Sequence, residues 1–360
     1  METRITYRQV IDRLQESHLT HTTLSLPGGA RIVITERGGR ILGPFLTVDG
    51  TSMMWLSESF AAAEAFQAFL DAEDWNLGGE RVRVGPELQY SVPDRSRFWE
   101  TYTLSAEDDP GRYVLSAAGT GGAWRLSKDM VLDVYPSRGR KRLHMDRLIS
   151  EAADPLRELV VYRELMDGVV YAGYDHRITL EEPESDGIVS HAWDLVQINV
   201  GGVLVIPVLP PIEYSDYYEP LEAGTQVRTQ HHLCLKITAD RKFKRGFKAP
   251  HILGRVGYFN QLGPDQACLL VRTFYSNPSS SYLDEPYRSP GCRGDSLQVY
   301  QDDGALGAFA EIECIGETVG GNMGRSTTTD AMLLWCYMGA PAKVGRIAKH
   351  LIGLDPVENS

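Results

Sequence analysis

Phe309-Ala310-Glu311-Ile312-Glu313-Cys314 alternates apolar and acidic residues with the period of a strand, whose successive side chains project to opposite faces. Ala308, Ala310, Ile312 and Cys314 then share one apolar face, and Phe309, Glu311 and Glu313 the other. Two carboxylates on one face stand about 6 to 7 Å apart, two residues of strand rise. Like charges at that range raise at least one pKa, and a carboxyl group that titrates near neutrality can transfer protons. The same run also reads as the solvated face of an antiparallel strand.

A second run, His191-Ala192-Trp193-Asp194-Leu195-Val196-Gln197, alternates in the same way. His191, Trp193 and Gln197 project to one side, where an imidazole, an indole and an amide suit a polyhydroxylated ligand; a structural histidine at a strand start is the competing reading. Asp194 falls on the apolar side and therefore needs a hydrogen-bonding partner. In the stretch Trp75 to Glu87, Arg81 and Arg83 oppose Val82 and Val84. Their guanidinium forks match vicinal hydroxyls or a carboxylate, Trp75 offers a flat face for stacking, and Asn76 and Glu87 add polar groups. A hairpin corner in which these arginines pair with Glu80 and Glu87 fits equally well. Phe243 to Lys248 leads through Pro250 into a strand, with Lys248 either within reach of a ligand or in a solvated loop. Two loops rich in tyrosine and acid, Glu213 to Glu219 and Ser281 to Tyr287, have the composition of a pocket rim.

Several chemistries are absent. The chain has no Gly-x-Ser-x-Gly elbow, no phosphate-binding Gly-x-x-x-x-Gly-Lys loop and no His-Glu-x-x-His. Gly119 to Gly122 and Gly316 to Gly324 lack the strand-then-helix setting of a dinucleotide site. His231-His232 and Asp175-His176 fit no metal spacing, so neither metal nor cofactor is expected. With 36 basic and 48 acidic residues the net charge is −12, which repels phosphate backbones and argues against nucleic acid. The basic clusters Arg138 to Arg142 and Arg241 to Lys248 read as solvated hairpin ends. The opening Met1 to Thr6 has no apolar run behind a basic start, and no stretch approaches the ~20 apolar residues of a membrane span. Five scattered cysteines, odd in number, fit reduced thiols and a cytoplasmic protein.

These residues must be positioned by sheet. Short β-type segments separated by Gly, Pro, Asn and Asp dominate from Val82 to Trp335, without crossover helices, and predict a large antiparallel β-sandwich of all-β class with a few short peripheral helices. Helical spacing predicts helices over Thr6 to His18, Ser57 to Asp71 and Pro341 to Leu351. The implied division is an N-terminal helical extension (1–21), a sandwich domain carrying the site (22–340), and a C-terminal helix and tail (341–360).

The order of Gly38-Gly39-Arg40-Ile41, the Trp75 to Glu87 stretch, Ala192 to Gln197, Phe243 to Lys248 and Ala310 to Glu313 resembles the galactose mutarotase-like (aldose 1-epimerase-like) supersandwich group across roughly 22–340. The resemblance implies one large sandwich whose concave sheet holds a sugar, with a late carboxylate taking the anomeric proton while a histidine protonates the ring oxygen. Glu313 and His191 match those roles, and Arg81 the hydroxyl-binding arginine; Trp75, Asn76, Glu87, Trp193, Gln197, Lys248 and Glu311 complete the expected sugar contacts. An Asn-His-x-x-Phe-Asn segment of the characterised epimerases is missing. The expected partner is a small carbohydrate, converted by epimerisation, cleaved at a glycosidic bond, or simply bound.

Overall fold

The computed structural model describes residues 4–119, 121–222 and 224–357; the first and last three residues of the expected extension and tail, and Thr120 of the discounted glycine run, lie outside it. Two antiparallel sheets face each other. The nine-stranded sheet runs, from edge to edge, His21–Ser25, Arg31–Thr35, Ile41–Phe45, Glu80–Gly85, His191–Asn199, Phe309–Ile315, Asp295–Gln301, Phe243–Lys248 and Tyr214–Asp216. Ten strands, from Gln226–Arg228 at one edge to Val114–Ala118 at the other, form the second. The all-β sandwich inferred from sequence is the architecture observed.

Alternation explains how the layers pack. In Gly139–Glu151 every second residue from Lys141 to Ile149 is buried while most of the others are partly or fully exposed, the pattern of a sheet with one face in the core. His191–Asn199 and Phe309–Ile315 are buried at every position, which means that both faces of these central strands are covered. Ala192, Val196 and Ile198 from the first, and Ala310, Ile312 and Cys314 from the second, enter the core between the sheets. Glu311 and Glu313 are thereby directed to the outer face, as the alternation predicts.

Helices lie at the periphery. Tyr7–Glu16 opens with a capping box in which Thr6 and Gln9 satisfy each other's backbone N–H groups, and it buries Val10 and Leu14 against Leu42, Phe45 and Phe66. Pro341–Ile352 starts with proline, ends on Gly353 in the left-handed region (φ 77°), and packs Val344, Ile347 and Leu351 on the second sheet. Ser57 to Asp71, expected as one helix, divides into a 3₁₀ turn, Glu58–Ala61, and an α-helix, Ala63–Asp71, because Ala62 is extended (φ −142°, ψ 150°). Among the described residues no helix is long and apolar enough to cross a membrane, and all five cysteines are free.

The sheets are also joined by buried ions. Asp194 and Glu80, on the inner face of the nine-stranded sheet, share the Arg272 guanidinium of the other, with Arg272 3.0 Å from Glu80. His176 and Tyr174 bond Glu80, and Arg147 Nε donates to His176 Nε2 at 3.0 Å. The partner required for Asp194 is therefore Arg272. Glu80, His176 and Asp194 bring three ligand-type atoms within 4.8 Å of one another. Two fixed guanidinium charges already serve that cluster, so its donors do not suit a cation. Arg272→Ala should leave two carboxylates without their countercharge in the core. An expected loss of about 3 to 5 kcal/mol would be read from urea unfolding, and an unchanged midpoint would contradict this account.

Candidate active site

The outer face of the nine-stranded sheet carries a cavity of about 560 Å³. Register sets its floor. Arg81 lies beside Leu195, Leu195 beside Glu313, and Glu313 beside Gln298; one row along, Arg83 stands beside Trp193, and Glu311 stands between Gln197 and Tyr300. Opposed pairs on one face place their Cβ atoms about 4.5 to 5.5 Å apart, so four strands converge polar groups without any loop being required to do so. Trp75, Glu87, Trp99, Tyr102, Tyr218, Lys242 and Lys244 add the walls.

Lys244 is the centre of the polar network. Its Nζ lies 3.2 Å from Glu87 and 3.2 Å from Glu313, and 4.3 Å from the centroid of the Trp193 ring. Trp193 Nε1 donates to Glu313 Oε2 at 2.9 Å. Tyr102 donates its hydroxyl to Glu87 at 3.0 Å, and Arg83 donates to Tyr102 at 3.1 Å and to Ser91 at 2.9 Å. On the other flank Arg81 pairs with Glu311 at 3.1 Å, approaches Asp109 at 3.5 Å and stacks on Trp75 at 4.2 Å. Arg40, anchored on Asp109 at 3.1 Å, supports that pair from behind.

The two carboxylates on Lys244 are pushed apart in acidity. Burial raises Glu313, the Lys244 charge opposes it, and Glu311 and Glu87 add repulsion; the carboxyl comes to rest at about 7. Burial acts upward on Glu87 too, but Lys244, Arg83 and the Tyr102 hydrogen bond outweigh it and hold Glu87 below the ordinary carboxylate range. Lys244 is opposed by burial yet raised by Glu313 and Glu87, so it stays an ammonium ion. Divergent acidities in one pocket are the usual mark of a proton-transferring pair.

Six of the residues singled out from sequence line this cavity: Trp75, Arg81, Glu87, Trp193, Glu311 and Glu313. Glu311 and Glu313 are only 4% and 1% exposed, which rules out the solvated-strand reading. Four others stand elsewhere. His191 is on the expected strand face but lies over Gly85, where an added Cβ would come within 2.2 Å of its ring, and it is fully buried. Its Nδ1 bonds the Ala192 carbonyl at 3.2 Å, and burial lowers its pKa against the opposing charge of Asp284. A neutral imidazole outside the cavity does not form the expected pair with Glu313. Gln197 donates to Asn76 at 2.9 Å and Asn76 to the Leu306 carbonyl at 2.9 Å, so these amides fasten the loop that brings Leu306 to the cavity. Lys248 turns to Asp295 (3.1 Å) and Ser215 (2.9 Å). Phe243–Lys248, read as a solvated loop, is itself a sheet strand, because Phe243 and Phe247 anchor its other face in the core.

That same alternation was the available signal for Lys242 and Lys244, which sequence reasoning missed. Arg83, read as a guanidinium suited to hydroxyls but not among the expected sugar contacts, and Phe309, on the correct face with no role, both line the cavity as well. Trp99 and Tyr102 come from the irregular stretch after Glu87, where no periodicity marks them.

A galactose mutarotase-like protein from Lactobacillus casei ATCC 334 superimposes with a TM-score of 0.51 at 11% identity, covering 88% of this chain and 100% of that one. The fold is galactose mutarotase-like. The galactose mutarotase-related enzyme from Lactobacillus acidophilus aligns more distantly, at a TM-score of 0.42 and 9% identity over 89% of this chain and 97% of that one. An aldose epimerase homologue from C. elegans gives 0.42 and 8% over 88% and 98%. No family profile and no curated protein sequence matches the chain.

Replacing Lys244 by Met removes the cation that opposes ionisation at both carboxyl groups. Carboxyl-region infrared or ¹³C titration should then show Glu313 moving above about 7 and Glu87 moving up from its lowered position; a titration unchanged from the parent would separate Lys244 from both.

Proposed function

We propose that this protein is a carbohydrate-converting enzyme of aldose 1-epimerase type, with Glu313 as its proton-transfer group. The observation that carries this reading is Glu313 itself, buried on the cavity floor, hydrogen-bonded to Trp193 and paired with Lys244, where burial pushes its carboxyl up to about 7. A base of that acidity is half ionised at neutral pH and remains basic enough to take a proton. In the proposed step, Glu313 takes the anomeric hydroxyl proton, the bond from C1 to the ring oxygen breaks, and an open aldehyde forms. The Lys244, Arg81 and Arg83 cations stabilise the charge developing on the ring oxygen, which then receives a proton from protonated Glu313. Reclosure on the other face of the carbonyl gives the second anomer. His191 takes no part in this scheme.

Glycoside cleavage is the alternative on the same residues. It is favoured by the opposite shifts of Glu313 and Glu87, an acid and an ionised carboxylate that meet one ammonium at 3.2 Å each. The third reading, sugar binding without turnover, applies if no saccharide is changed.

Polarimetry or NMR of freshly dissolved α-hexoses tests the proposal, with reducing-end release from oligosaccharides as the arm for cleavage. Since Glu313 acts as its anion, kcat/KM should rise as pH increases through about 7 and then level; a profile that falls through that range would assign Glu313 as the acid instead. Glu313→Gln should lower kcat by about 10²- to 10⁴-fold with binding largely kept. Unchanged anomerisation across the hexose panel would overturn the epimerase reading.

A further inference from the structure

The cavity above does not end at its own rim. Trp99, in the short helix Phe98–Thr101, lines it from one side and, from the other, a second open cleft of about 450 Å³. Phe98, Tyr287, Arg97, Arg288 and Glu100 contribute to that outer cleft. Trp99 is 53% exposed, an unusual position for a side chain whose burial contributes so much apolar area.

Its exposure is built in by its supports. Phe98 presents its ring to the indole at 4.9 Å and 88°, and Tyr218 meets it at 4.8 Å. Phe98 is itself stacked on Tyr287 at 4.5 Å and 17°. The segment is tied to the loop beneath by Arg95, which donates to the Tyr287 carbonyl at 2.6 Å and the Pro286 carbonyl at 2.7 Å and pairs with Glu285. Trp99 therefore stands as a supported aromatic partition between two clefts. The outer cleft is also balanced in charge: Arg97 pairs with Asp94 at 2.9 Å, and Arg288 pairs with Glu219. Guanidinium groups already matched to carboxylates do not trap an anion, but their free N–H groups and the Glu100 carboxylate can still serve hydroxyls.

We propose that the ligand is an oligosaccharide of neutral sugars, with one residue in the inner cavity and the next one crossing Trp99 into the outer cleft. This rests on the carbohydrate reading above and sets the size of the substrate, which that reading leaves open. Aromatic faces accept the C–H face of a pyranose, while arginine on the walls donates to its hydroxyls and glutamate accepts from them.

Isothermal titration calorimetry of the full chain tests this with glucose, galactose, mannose and xylose and with their di-, tri- and tetrasaccharides. Affinity should rise about tenfold or more from the monosaccharide to the di- or trisaccharide of at least one series. Trp99→Ala should erase that gain, whereas Trp99→Phe, which keeps an aromatic face, should retain most of it. A thermal midpoint for Trp99→Ala equal to the parent's would confirm that lost affinity is not lost folding. Affinity that is flat with chain length, or a gain that survives Trp99→Ala, overturns the extended ligand while leaving the monosaccharide site intact. Failure of every saccharide in the panel to bind would remove the carbohydrate reading and this inference with it.

Discussion

One buried ammonium organises the cavity. Lys244 is removed from water and compensated by Glu87 and Glu313, each at 3.2 Å. A buried cation that keeps its charge needs such partners, and two carboxylates sharing one cation cannot both be fully neutralised by it. Glu87 receives further help from Arg83 and Tyr102 and stays ionised; Glu313 receives an indole N–H and the repulsion of Glu311, and is left near neutrality. The chemistry available to the cavity follows from this unequal sharing.

That arrangement depends on a layer the ligand does not touch. Residues adjacent to the site on the same strands, Glu80 beside Arg81 and Asp194 beside Trp193, point the other way and are held by Arg272 across the sandwich. Fixing the underside of these strands fixes the direction of the side chains on top, because a strand cannot turn one residue without turning its neighbours. The ion cluster between the sheets and the polar network in the cavity are thus two faces of the same central strands.

Much of the fold was legible in local pattern. Phe309–Ile315 is a strand where the alternation of Phe309 to Cys314 implies one. Helical spacing located Tyr7–Glu16 and Pro341–Ile352 within two residues at either end. The faces were legible as well: Glu311 with Glu313, Arg81 with Arg83, and Asp194 opposite Trp193 all project as their parity requires. Lys242 and Lys244 sit among charged neighbours that read as a solvated hairpin end, although Phe243 and Phe247 fix the inner face of a strand there.

What the sequence determined by itself is which side chains share a face, since a period of two is a property of the extended backbone alone. Which of those side chains meet, and how deep they lie, was decided only by the tertiary structure. His191 is the plainest case: its face is right, but its strand neighbour Gly85 leaves a space that the imidazole fills, so it is buried there and does not line the cavity. Lys244 and Glu87, which stand 157 positions apart, become partners because the order of strands in the sheet and the turn after Gly85 bring them together. No local pattern encodes that distance, because it arises from how long-range strand pairing closes the sheet.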